Sequence, residues 1–180
     1  LLSQTMREWA WAGNTEFEIL NICSDKSVGK KTEDMDPSDA PFPVTSNVDE
    51  IVNFLQKSGS KVIFCTYQSS QLIAEAQLDL NVPTFDLAIA DEAHRCAGKA
   101  DAAFATILDD DKIRATKRLF ATATPRYFGK ALKSASKAKD LTVIGMDDEK
   151  VFGPVIHQLT FGQAIKDDLL NDYQVVIVGV

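Results

Sequence analysis

The chain is poor in cysteine, histidine and spare positive charge, and each shortage narrows what it does. Its 180 residues hold three cysteines, Cys23, Cys65 and Cys96, far apart and with no CxxC pair. That pattern argues against a disulfide framework and reads as inert, reduced thiols in a cytoplasmic protein. No apolar run approaches the roughly 18–20 residues that cross a bilayer, so no membrane partner is expected. The opening LLSQTMREWAWAG lacks the basic flank and continuous apolar centre of a secretory signal. It also lacks an initiator Met and starts in mid-pattern, as a chain cut from something larger would. A formal charge of −7 disfavours a broadly basic nucleic-acid surface. It leaves room for a local strip of phosphate contacts from hydroxyls and backbone N–H groups.

What is present is ordinary globular material, 45% apolar and 25% charged, enough for one domain with a real core. Short, continuously apolar runs at 17–23, 61–67, 85–90, 117–124, 141–146 and 173–180 read as strands buried on both faces. Helical patterns at 2–12, 47–58, 70–79, 99–109, 128–138 and 161–170 alternate with them. Asn47 or Ser46 is placed to cap the second helix, and Ser69 or Ser70 the third. The alternation predicts an α/β fold: a doubly wound, mainly parallel sheet with helices on both faces. The charged, proline-bearing stretch 24–46 reads as a surface loop.

Within that loop, SVGKKT (27–32) invites comparison with the phosphate-binding pattern GxxxxGK[ST] and fails it. The first glycine position is Ser24, Lys31 follows Gly29-Lys30, and the acidic continuation does not open a helix. It is a decoy.

The stretch FDLAIADEAHRCAG (85–98) is more pointed, because an apolar strand runs directly into Asp91, Glu92 and His94. An acidic pair there serves either as solvated punctuation or as the metal-holding edge of a ligand crevice at the carboxyl end of a parallel sheet. In the second case Asp91 holds Mg²⁺ through its waters, and Glu92 orients and deprotonates an attacking water. Some thirty residues on, LFATATPR (119–126) ends another strand in hydroxyls, which brings His94 within reach of Thr122 or Thr124.

DEAH (91–94) followed by the S-A-T-like TAT (122–124) resembles motifs II and III of superfamily 2 helicases and translocases. LLSQTMREW (1–9) is similar to motif Ia, and CTYQSS (65–70) to the T-Y-x-S motif of type I and type III restriction-enzyme motor subunits. The resemblance covers nearly the whole chain. It implies a RecA-like fold of the P-loop NTPase type, truncated at its N-terminus, with residues 1–150 a partial first motor domain. Residues 151–180 resemble the bridge to a second RecA-like domain in the same parent chain. Carried over residue by residue, Asp91 takes the Mg²⁺ of Mg-ATP and Glu92 the hydrolytic water. His94 couples the nucleotide site to the second domain, while Thr122 and Thr124 relay hydrolysis to strand movement. Ser3, Gln4 and Thr5, with Thr66, Tyr67 and Ser69, contact a nucleic-acid backbone, DNA rather than RNA.

Bland readings stand beside these. Ser69 and Ser70 serve as helix caps, Ser3 and Thr5 as strand-end residues, and His157 as a satisfied structural histidine in an apolar run. Two other functions remain open: a non-catalytic binding module built on a motor remnant, and a metal-dependent hydrolase without nucleotide. The resemblance puts the phosphate-binding Lys and Thr ahead of Leu1. Hydrogen bonds to charged groups contribute about 1.5–3 kcal/mol each. Four missing phosphate contacts thus remove roughly 6–12 kcal/mol, against about 8 for micromolar binding. Calorimetry on these 180 residues alone is therefore expected to show no micromolar Mg-ATP binding, and a measured micromolar affinity would refute that expectation.

Overall fold

A computed structural model describes residues 17–23, 44–99, 103–129 and 143–171. The expected helix at 2–12, all but the first two residues of that at 128–138, the strand at 173–180, SVGKKT, and Ser3, Gln4 and Thr5 lie outside the described residues.

Strand β1 (Glu18–Ile22) pairs in parallel with β2 (Val44–Thr45) on one side and β3 (Lys61–Cys65) on the other. Helix α1 (Val48–Gln56) crosses from β2 to β3 and buries Ile51, Phe54 and Leu55. Their i, i+3, i+4 spacing places them on one helix face. That face meets Leu20 and Ile22 of β1 and Ile73, Ala74 and Ala76 of α2 (Ser70–Ala76) in the main core. Asn47 caps α1 through Oδ1, which accepts the Asp49 N–H at 2.9 Å. Thr45 reinforces this start: its Oγ1 accepts the Asn47 N–H at 3.0 Å and donates to Glu50 Oε2 at 2.5 Å. Asp49 and Glu50 also set negative charge against the positive end of the helix dipole.

A second parallel pair joins β4 (Phe85–Ala90) to β6 (Ala115–Phe120), with Ala90 opposite Phe120. Between them lie a 3₁₀ turn (Ala93–Arg95), β5 (Gly98–Lys99) and a 3₁₀ helix (Ala103–Leu108). β7 (Val143–Ile144) pairs antiparallel with β5. Two short helices close the described chain, α3 (Glu149–Phe152) and α4 (Phe161–Lys166). Phe152 packs edge-on against Phe120 with ring centroids 5.0 Å apart, so α3 sits against the end of β6. Among the described residues no helix is long and apolar enough to cross a membrane.

The α/β architecture with parallel ladders matches the sequence pattern, and β4 does so residue for residue. The departures have local causes. In place of a helix over 99–109 stand β5 and the 3₁₀ helix. Gly98, at φ 134°, turns the chain in a conformation that L side chains rarely adopt, and Thr106 and Ile107 are β-branched. Arg118 then takes two carbonyls of this region, Ile107 O at 2.8 Å and Ile113 O. β6 ends at Phe120 rather than 124, because Thr122–Pro125 leave the ladder in a hydroxyl-capped turn. A two-residue strand, β2, stands at the end of the expected surface loop. Among the described residues β4 is not covered on both faces: Leu87 and Ile89 are 50% and 42% exposed. His157 is exposed rather than a packed structural histidine, because residues 154–163 run along the surface.

Gln77 fastens the two parallel strands to the helical layer. It is buried, accepts the Arg114 N–H at 2.7 Å, and donates to the carbonyls of Pro83 and Arg114, both at 3.2 Å. Replacing it with Leu removes all three bonds and deprives the Arg114 N–H and the Pro83 carbonyl of their partner, while Arg114 O keeps the Phe85 N–H at 3.0 Å. Each group left unsatisfied costs about 1–3 kcal/mol. Gln77→Leu is expected to lower the unfolding free energy from urea titration by about 1–3 kcal/mol, seen as a lower midpoint at unchanged m value; an unaltered midpoint would show these three hydrogen bonds to be dispensable.

Candidate active site

Parallel pairing puts the carboxyl ends of β4 and β6 side by side, so the acidic tip and the hydroxyl tip emerge together. Two backbone bonds tie them: Ala121 N–H to Ala90 O and Ala93 N–H to Ala121 O, each at 2.9 Å. Beyond β4 the chain turns sharply. Glu92 sits at φ 51°, ψ 42°, in the left-handed region where a side chain is strained. Such a conformation costs on the order of 1–3 kcal/mol. Local bonds offset it. The Asp91 carboxylate accepts the Glu92 N–H at 2.9 Å, and the Arg95 N–H reaches Glu92 O at 3.0 Å. A third comes from far along the chain: the Tyr67 hydroxyl donates to Asp91 O at 2.6 Å. At about 0.5–1.5 kcal/mol each, these three exceed the lower end of the strain.

His94 gathers the side chains. Its Nδ1 lies 3.2 Å from Glu92 Oε2, 3.0 Å from Thr122 Oγ1 and 3.2 Å from Thr124 Oγ1. A carboxylate only accepts, so the contact with Glu92 suits a proton on Nδ1, while each threonine hydroxyl can either donate to that nitrogen or accept from it. That one nitrogen faces one carboxylate and two hydroxyls. Thr122 Oγ1 also accepts the Thr124 N–H at 3.1 Å, which fixes the turn. His94 is largely covered, at 22% exposure, whereas Glu92 is 41% open and Asp91 is exposed. The arrangement holds one carboxylate against a histidine and leaves the other toward solvent.

The T-Y-Q-S stretch stands at the end of β3 as a 3₁₀ turn, Tyr67–Ser69, leading into α2. Thr66 Oγ1 donates to Ser69 Oγ at 2.9 Å, and Ser70 Oγ to Tyr67 O at 2.6 Å. Neither serine makes a side-chain cap to α2. Tyr67 points back into the protein, tilted against Phe104 with ring centroids 5.7 Å apart and beside Cys96. Burial, then the neighbouring Cys96, push its phenol well above the ordinary value. Burial likewise raises the Cys96 thiol to about 11 although the Tyr67 hydrogen bond works the other way. Cys65 is raised too, by burial and then by Cys23.

Of the sequence-derived residues, Glu92, His94, Thr122 and Thr124 meet directly, and Asp91 adjoins them. Tyr67 joins through a backbone carbonyl, while Thr66 and Ser69 bond to each other. Phe104 and Cys96, which shape the Tyr67 pocket, carry no motif that would have marked them. Among the described residues no group of three or more His, Cys, Asp or Glu side chains gathers to hold a metal. A lone exposed Asp91 carboxylate fits Mg²⁺, which keeps several waters and needs only one or two carboxylates beside substrate phosphates.

Residues 1–127 match the family described as type III restriction enzyme, res subunit. The chain belongs to that family. It falls within the superfamily 2 helicases, in the restriction-enzyme-like group, and its fold is RecA-like. Proteins of two kinds are similar over nearly all of it. A protein described as a probable helicase of African swine fever virus is 32% identical over 99% of the chain in the Kenyan isolate. The Vero-adapted Badajoz strain gives 28%. The ATP-dependent type ISP restriction-modification enzyme LlaBIII, solved bound to DNA, is 34% identical with a TM-score of 0.73 over 96% of the chain. A nuclease-deletion mutant of the type ISP enzyme LlaGI, in complex with a DNA substrate mimic, gives 32% and 0.70 over the same share. The chain spans 18% of the viral proteins' length and 12–13% of the two solved chains.

A thiol at about 11 against an ordinary 9.0 has roughly a hundredfold less thiolate at pH 8. Only the thiolate is the nucleophile. Peptide mapping after brief iodoacetamide treatment is expected to find Cys96 modified at least that much more slowly in native than in denatured protein. The rate should climb as pH rises from 9 toward 11. Equal native and denatured rates at pH 8 would show the thiol to be open.

Proposed function

We propose that the chain is most of the first motor domain of an ATP-dependent DNA helicase or translocase. On this reading residues 1–150 form the motor portion and 151–180 the bridge to a second RecA-like domain. The observation that carries it is the shared Nδ1 of His94, which links Glu92 to Thr122 and Thr124 across two parallel strand ends. A solvated acidic cap would need no such link. The exposed Val155, Ile156, Leu159 and Phe161 support a bridge that packs on further parts of a longer protein.

In the mechanism each side chain has a place. Asp91 would hold the Mg²⁺ of Mg-ATP. Bound Mg²⁺ would neutralise charge on the phosphoryl oxygens. Glu92, steadied at Oε2 by His94, orients a water and accepts its proton as that water attacks the γ-phosphate. His94 then exchanges hydrogen bonds between Glu92 and the two threonines, so a change at the carboxylate is felt at the Thr122–Thr124 turn. Ser3, Gln4 and Thr5, together with Thr66, contact the sugar-phosphate backbone, whereas Ser69, buried and bonded to Thr66, supports the turn rather than reaching the polymer. The DNA complexes of LlaBIII and LlaGI support DNA as the polymer. The cell compartment on this reading is the cytoplasm.

The test is ATP hydrolysis by the full-length protein, with and without duplex DNA. General acid–base groups typically contribute about 10²–10⁴-fold. Glu92→Gln is expected to lower DNA-stimulated kcat by that factor while nucleotide binding persists. Equal turnover in the two proteins removes Glu92 from its role.

A further inference from the structure

Tyr67 stands apart from its neighbours in the T-Y-Q-S turn. Thr66 and Ser69 bond their hydroxyls to each other at the strand end, whereas the Tyr67 phenol crosses to the carbonyl of Asp91, 24 residues away in sequence. That carbonyl belongs to the peptide joining Asp91 to Glu92. The same peptide has its N–H held by the Asp91 carboxylate, and it opens the left-handed turn at Glu92. It is therefore gripped on both sides, once by its own side chain and once by Tyr67. The grip is well supported, since the ring is braced by Phe104 and flanked by Cys96. A hydroxyl engaged this way, at 2.6 Å, is poorly placed to reach a polymer in solvent.

We propose that Tyr67 is a positioning residue that sets the Asp91–Glu92 peptide, rather than a nucleic-acid contact. This rests on the hydrolytic reading of the site given above. It makes β3's turn the physical connection between polymer and carboxylates. Thr66 adjoins Tyr67 directly, so a displacement of the turn by bound DNA pulls on the Asp91 carbonyl and rotates the peptide that aims Glu92.

The experiment compares wild type with Tyr67→Phe in the full-length protein, which removes one oxygen and keeps the ring packing. At saturating DNA, kcat for ATP hydrolysis is expected to fall about tenfold. The KM for ATP, the Kd for a DNA duplex and the melting temperature should each stay near wild type, the two constants within twofold. A weakened DNA Kd with full kcat at saturating DNA would mean direct contact and overturn the proposal. So would an unchanged kcat, or a loss that merely tracks a lowered melting temperature. Wild-type protein without ATP hydrolysis would instead sink the hydrolytic reading itself and this inference with it, which separates the two failures.

Discussion

The register of β4 on β6 is the constraint on which the site depends. Ala90 faces Phe120, and the next residues of each strand, Asp91 onward and Ala121 onward, are carried past the ladder at the same height. Side chains alternate along a strand, so a slip of one residue would turn the side chains of β6 to the opposite face and shift its tip against that of β4. The pair is held at both ends. Gln77 and Arg114 lock the start, where the Phe85 N–H also meets Arg114 O, and the shared imidazole locks the finish. Misaligned pairing forfeits both sets of bonds together.

Stability and chemistry meet in the turn at Glu92. A left-handed, non-glycine residue is tolerated because neighbours over-determine it: a carboxylate on its N–H, a phenol on the preceding carbonyl, and the 3₁₀ bond from Arg95. A relaxed turn would carry the Glu92 side chain away from His94. The strain is thus spent on direction, lifting one acid toward the hydroxyl tip while its neighbour Asp91 stays in solvent.

Much of this was legible from residue order. FDLAIA declared its strand without ambiguity, and two parallel strands some thirty residues apart must end at the same rim, so the meeting of His94 with Thr122 and Thr124 followed. What sequence could not supply was anything decided by side chains across long separations. A tyrosine after a strand looks equally suited to a polymer contact or an internal brace; the packing of Phe104 and Cys96 favours the brace, and neither advertises itself. The 3₁₀ helix at 103–108 was missed because Arg118, which takes the Ile107 carbonyl, lies eleven residues farther on. His157 misled because an apolar run suggests burial, whereas in this chain the run lies along the surface.

The oxygen of Thr122 has consequences for which substitutions the position tolerates. It receives the Thr124 amide while facing the imidazole, so it serves turn and histidine at once. Serine would preserve both duties, whereas valine, almost identical in outline, would forfeit both. Genetic drift at this site is therefore confined by a single lone-pair-bearing atom rather than by volume.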